Sequence, residues 1–286
     1  MDFGIGENFM IDMTAIILTF NEEKNISECI TSIKELVKRI VVIDSFSTDA
    51  TVEIAKQLGA EVYQNKWVNY ANQYQYAIDN CNISSKWIFR IDADERLTEA
   101  SAKELEQVCK ENENTDVNGI IIRFEVVFMG KRLRHGGIYP FKKLLVYKNG
   151  KGYMEQRNMD EHIILTEGRS ISLKNDSLHR DYKDLTFWID KHNKYSSREV
   201  MDYENSLSIR KETNVRTNFK SWVKFNIYYK LPMGFRAWLY YIYRYIFKLG
   251  FLDGREGKIY AFLQAYWYRF LVDAKIYENS IKGKNI

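Results

Sequence analysis

Two prolines, three cysteines and no tract rich in Ser and Gly leave little room for long disordered linkers in a chain of 286 residues. Cys29, Cys81 and Cys109 are widely spaced and odd in number. That pattern excludes a zinc-ligand set and a disulfide framework, and predicts thiols in a reducing compartment. Met1–Met13 has no basic region followed by an apolar stretch, so no signal peptide is expected. No run reaches the ~18 apolar residues that a membrane span requires. The expected location is the cytoplasm or the cytoplasmic face of a membrane.

Charge is unevenly spread. The net charge of the whole chain is +4, yet residues 218–286 hold 12 Lys/Arg against 4 Asp/Glu. The same stretch holds 20 of the 42 Phe, Trp and Tyr residues. A basic, aromatic tail follows a mildly acidic body, which predicts two jobs in one chain.

The body alternates strand and helix patterns. Thr14–Phe20, Arg39–Asp44, Glu61–Tyr63 and Trp87–Asp92 read as short buried strands. Helices are predicted from Asn25 to Lys38, from Asp49 to Gly59, over Tyr70–Asn80, and from Thr98 or Ser101 to Glu111. Ser101 and Glu104 have capping-box spacing. This alternation predicts an α/β fold, Rossmann-like, with a mostly parallel sheet covered by helices on both faces. Beyond it, Gly119–Met129, Lys142–Tyr147 and Met159–Leu165 read as strands and Leu185–Tyr203 as a helix. Trp188, His192, Tyr195 and Glu199 form one packing stripe on that helix.

Open sheets of this kind bind ligands beyond the carboxyl ends of their strands. Three polar clusters fall there: Thr19-Phe20-Asn21-Glu22, Asp44-Ser45-Phe46-Ser47-Thr48-Asp49 and Asp92-Ala93-Asp94-Glu95. On an extended backbone Asp92 and Asp94 point to the same side. Paired carboxylates suit Mg²⁺ or Mn²⁺, completed by diphosphate oxygens. The competing reading of an isolated Asp-x-Asp is a solvated turn. Asp44 and Ser45 can meet a base or ribose, Asp49 reads as a helix cap, and Thr19, Asn21 and Glu22 can hold the nucleoside.

The segments ILTFNEEKNISECI, VVIDSFSTDATVEIAKQLGA and WIFRIDADE resemble the nucleotide-binding signatures of family 2 glycosyltransferases, which have the GT-A fold. WVNYANQYQYAI, MDEHIILTEG, KHNKYSSREV and GFLDGREG resemble a bacterial subgroup acting in lipopolysaccharide-core, O-antigen or capsule assembly. The resemblance implies inversion at the anomeric carbon, a divalent metal and a UDP-sugar. It also implies that Thr19, Asn21, Glu22 and Asp44 hold the nucleoside, and Asp92 and Asp94 the metal and diphosphate. Two departures stand out. Thr19-Phe20-Asn21 replaces the common Pro-Tyr-Asn. Tyr74-Gln75 replaces Lys-Asn, which removes a cationic diphosphate contact that Arg90 or another base would supply.

Inverting transfer needs a general base for the acceptor hydroxyl. Asp160-Glu161-His162 is the densest candidate; relatives carry a Glu at the position of Glu161, with Asp160 second and His162 a substrate contact. Arg134 and His135, in the loop Lys131–His135, can meet an acidic or lipid-linked acceptor or stay solvated. The expected organisation is a catalytic domain over 14–203 (nucleotide half 14–98, acceptor half 119–203), a linker over 204–217 and a helical appendage over 218–286. Ala237–Phe247, with Lys224, Lys230, Arg236, Arg244 and Lys248 nearby, suits a helix in an anionic membrane interface.

Two other classes compete. A nucleotidyltransferase would also use a parallel sheet and an acid–metal pair, but the loop after the first strand lacks its glycine-rich, basic character. A basic-aromatic binding protein for membrane or nucleic acid would leave Asp44, Asp92 and Asp94 without a role. The expected partners are therefore a nucleotide-sugar donor and a glycan or lipid-linked acceptor, not nucleic acid.

Overall fold

The structure, a computed structural model, describes residues 10–155, 161–212 and 231–282. Two compact units emerge. The first comprises Met1–Val127 and Pro140–Tyr182, and the second Phe128–Tyr139 and Lys183–Ile286. The division at Tyr182 differs from the expected linker at 204–217. Helix α5 (Leu185–Glu212) runs unbroken through the first part of that stretch, and the rest of it lies outside the described residues.

In the first unit, β1 (Ile11–Thr19), β2 (Val37–Asp44), β3 (Glu61–Gln64) and β4 (Trp87–Arg90) are parallel, in the order β3-β2-β1-β4. β8 (Phe141–Lys148) continues the sheet antiparallel to β4, and β6 (Val117–Phe128) pairs antiparallel to β8. β11 (Arg169–Arg180) then runs parallel to β6, and the two-residue β5 (Glu95–Arg96) closes the edge. The first strands are continuous apolar runs because both their faces are covered. Met13, Ala15 and Ile17 join one core with Ile26, Ile30 and Ile33 of α1 (Ile26–Ile33) and Leu105 of α4 (Glu99–Glu111). Ile16 and Leu18 join the other with Ala71, Tyr74 and Ala77 of α3 (Tyr70–Asn80). Each of the buried Ile, Leu and Met side chains among these stabilises by ~1.5–3 kcal/mol.

Local details depart from the spacing rules. The capping box of α4 pairs Thr98 with Ser101, because Glu104 instead accepts from the backbone of Lys174 and Asn175. Asn25 does not cap α1 with its side chain. Its amide donates to Glu22 and Asp181 and accepts from the Tyr182 backbone, tying the end of β11 to the β1–α1 loop. Cys29, Cys81 and Cys109 are all free and buried in this unit.

In the second unit, β7 (Lys131–Leu133) lies in the segment 128–139, and α5 packs against α8 (Tyr268–Lys282) through Val200, Tyr268 and Val272. The Trp188 stripe of α5 is a packing face: Trp188 and His192 stack at 3.5 Å, and Tyr268 of α8 donates to Glu199 at 2.8 Å. α6 (Phe235–Ile242) continues as a π-helical turn over Tyr243–Phe247, followed by a tight turn at Gly250–Asp253 and α7 (Gly254–Ala261). Gly257 is required here, since a Cβ would stand 2.4 Å from that of Asp253. Among the described residues, no helix is long and apolar enough to cross a membrane.

Candidate active site

β1, β2 and β4 end on one rim of the first unit, and their loops interlock. Asp44, fully buried at the end of β2, accepts from Thr19 Oγ1 at 2.9 Å and from the Ser47 backbone at 2.8 Å. Asn21 holds a left-handed φ of 55°, donates its backbone N–H to Ser47 and accepts from the Thr48 backbone. Asparagine tolerates that region through its short polar side chain. The Glu22 backbone donates to Thr51 at 2.7 Å. Asp49 accepts from the Thr51 backbone and hydroxyl and from the Glu23 backbone, but α2 (Thr51–Gln57) has Ala50 at its N-cap position, so the cap read for Asp49 lies one residue further on and Asp49 ties two loops together instead. Ser45, almost buried, accepts from Gln73 at 2.9 Å. Phe20 and Phe46, which sequence reasoning passed over, stand 56% and 53% exposed on these two loops.

The third cluster differs from the expected extended pair. Glu95 N–H closes back to the Asp92 carbonyl at 2.9 Å, so the chain turns and the two aspartates take different partners. Asp92 accepts from Tyr70, from Arg90 at 3.0 Å and from Lys143 at 2.9 Å. Lys143, from β8, also donates to the fully buried Glu95 at 2.6 Å. Asp94 faces His179 of β11, with Oδ2 and Nε2 3.2 Å apart. His179 is held there because the next residue, Arg180, donates its N–H to the Asp94 carbonyl at 2.8 Å.

Electrostatics follow from this seating. Burial works against charge on Asp92, but Arg90 and Lys143 outweigh it and hold the carboxyl below the usual range. Burial pushes the Glu95 carboxyl up, with Lys143 opposing. Burial opposes charge on His179 too, yet the Asp94 carboxylate raises it above the ordinary imidazole value. Arg90 stacks over the Tyr70 ring at 4.5 Å, and its Nε–H is buried without an acceptor among the described residues. Tyr74, fully buried, meets Tyr147 hydroxyl to hydroxyl at 2.8 Å. Arg90 and Lys143 thus both bring positive charge to the Asp92 end of the rim.

A divalent cation can be tested against these residues. Asp94 and His179 bring one carboxylate oxygen and one imidazole nitrogen together, a mixed donor pair that suits Mn²⁺ better than the harder Mg²⁺, which prefers oxygen alone. Among the described residues, no three His, Cys, Asp or Glu side chains form a complete metal cage. The pair fits a cation whose remaining ligands come from diphosphate and water.

Glu161 and His162 precede β10 (Ile163–Leu165), which pairs with β9 (Gly152–Met154). The strand read over Met159–Leu165 therefore begins only after them. Asp160 lies outside the described residues. In the second unit, Asp253 accepts from the backbones of Arg134 and His135 at 3.0 and 2.8 Å, and its other oxygen lies 2.8 Å from His135 Nδ1. The motif GFLDGREG thus anchors the basic loop.

A family model for glycosyl transferase family 2 matches residues 14–179. The chain is 29% identical over 287 residues to an uncharacterized glycosyltransferase of Rickettsia felis, covering 97% of this chain and 93% of that protein. It is 27% identical over 275 residues to LpsC of Rhizobium meliloti, a lipopolysaccharide core biosynthesis glycosyltransferase, covering 94% and 93%. In fold it is similar to the mannosyltransferase PcManGT of Pyrobaculum calidifontis, solved with GDP-Man and Mn²⁺. The TM-score is 0.52 at 14% identity, over 94% of this chain and 87% of that one.

Proposed function

From the premise that the chain belongs to glycosyl transferase family 2 and has its GT-A fold, we infer that it is an inverting transferase. It would move a sugar from a nucleotide donor, a UDP-sugar first among those to try, to a glycan or lipid-linked acceptor of a bacterial surface polysaccharide. The observation that carries the reading is the pairing of Asp94 with His179 beside a carboxylate cluster neutralised by Arg90 and Lys143. An acceptor carried on a lipid would bring the enzyme to the cytoplasmic face of the membrane. The lipopolysaccharide-core assignment of LpsC favours such an acceptor.

Each residue then has a task. Thr19, Asn21, Glu22, Asp44 and Ser45 shape the nucleoside-binding loops, with Phe20 and Phe46 offering ring faces to the base. Asp94 and His179 would hold the divalent metal, with Asp92 beside them kept ionised. When bound, Mg²⁺ or Mn²⁺ supplies positive charge against the departing nucleoside diphosphate. Arg90 and Lys143 supply the positive charge beside the diphosphate. Glu161 takes the acceptor proton, with Asp160 the second candidate and His162 available to the acceptor.

The test is hydrolysis of UDP-, GDP-, dTDP- and ADP-sugars with Mg²⁺ or Mn²⁺. One donor should turn over in a metal-dependent way. Asp94→Asn and His179→Ala should each lose ~10²-fold or more. Glu161→Gln should abolish transfer to acceptor while nucleotide and metal still raise the melting temperature. Metal-independent turnover, or full activity in His179→Ala, would overturn the assignment.

A further inference from the structure

The helix at the start of the described tail is inside out. Arg236 is buried in a bidentate pair with Asp273, its Nε 2.8 Å from both carboxylate oxygens. Arg244 is buried as well, donating to the Gly136 carbonyl at 2.7 Å. The opposite face carries Trp238, Leu239, Tyr243, Ile246 and Phe247, all exposed, Phe247 by 73%. Leu252 extends the stripe into the following turn. The spacing is that of one helical face. Leaving each such side chain in water forgoes ~1.5–3 kcal/mol, and the inward face is already filled by Arg236, Ala237 and Arg244.

We propose that this stripe is the docking surface for an anionic lipid bilayer, with the helix lying in the plane of the headgroups. Charge selects the occupant. The sequence from 213 to 252 contains no Asp or Glu, while Lys248, Arg255 and Lys258 are exposed around the stripe. Trp and Tyr sit at headgroup depth, and Lys and Arg meet lipid phosphates. The 13 residues from Phe235 to Phe247 reach ~20 Å as a helix, short of the ~30 Å hydrocarbon core, so they lie on the bilayer. A symmetric contact between two copies would set these cations against themselves, with Glu256 already facing Lys131 at 3.7 Å. The proposal deepens the reading of a lipid-carried acceptor, but vesicle binding requires neither donor nor turnover, so the two can fail separately.

The experiment is flotation of the full chain with phosphatidylcholine vesicles, with and without phosphatidylglycerol. The protein should float with the anionic vesicles at low salt and be released at high salt. The double variant Phe247→Glu, Leu252→Glu should lose ~100-fold in partitioning, and Lys248→Gln with Lys258→Gln about tenfold. Circular dichroism melts should match the wild type, because these side chains are exposed. Should the double glutamate variant not fold, brominated lipid decides. It should quench wild-type tryptophan fluorescence, and Trp238→Phe should remove most of the quenching while still floating. Absence of flotation, equal binding by a folded double glutamate variant, or undiminished quenching in Trp238→Phe would each overturn the proposal. So would a wild-type dimer that this variant converts to monomer without any vesicle binding, which would assign the stripe to a second copy.

Discussion

Lys143 donates from one ammonium to two carboxylates, Asp92 and the fully buried Glu95. Removing it leaves Glu95 without its cation, and an uncompensated buried charge is strongly destabilising. Lys143→Met should therefore cost ~3 kcal/mol, and adding Glu95→Gln should recover more than half of it. Urea midpoints of the single and double variants check this; additive losses would break the link. Arg90 was legible from its place in WIFRIDADE. Lys143 was not, because Lys142 and Lys143 are indistinguishable in FKKLLVYK until the register with β6 decides which one meets the cluster. His179 was invisible for a related reason. It is the second-last residue of RSISLKNDSLHR, a stretch with too few apolar residues to announce a strand.

At the scale of elements, β1, β2 and β4 were legible because both of their faces are buried, which makes them short, largely apolar runs. β11 has one face largely exposed and β5 is two residues long, so neither leaves a hydrophobic period in the sequence. The Trp188 stripe of α5 was legible as packing, and it carries a pH prediction. Burial pushes the His192 imidazole down to about 4, so the folded state prefers it neutral. The unfolded chain takes up the proton first, near 6.5. Stability from this residue is full above that value and falls as pH drops from about 6.5 to about 4. Discounted for partial exposure, the loss is on the order of 1–2 kcal/mol. Urea melts at pH 7 and pH 4.5 should show it, and His192→Gln should flatten the difference. An equal slope in that variant would place the acid sensitivity elsewhere.

At the scale of the molecule, the sequence shows the change of character between body and tail but not where the compact units divide. Helix α5 is continuous across the first part of the polar stretch read as a linker, since a charged surface and a linker share a composition. The buried cysteines acquire a use at this scale. All three lie in the first unit, and burial raises the thiols of Cys29, Cys81 and Cys109. Alkylating reagents attack thiolates, so the native protein should resist them until that unit opens. Nucleotide and Mn²⁺ at ~100 times their dissociation constant should slow labelling ~100-fold, read by mass spectrometry. Labelling of the native protein at the rate of a free thiol would defeat the scheme. The chain thereby carries an intrinsic stopwatch for one of its halves, to which the cysteine-free second unit contributes no signal.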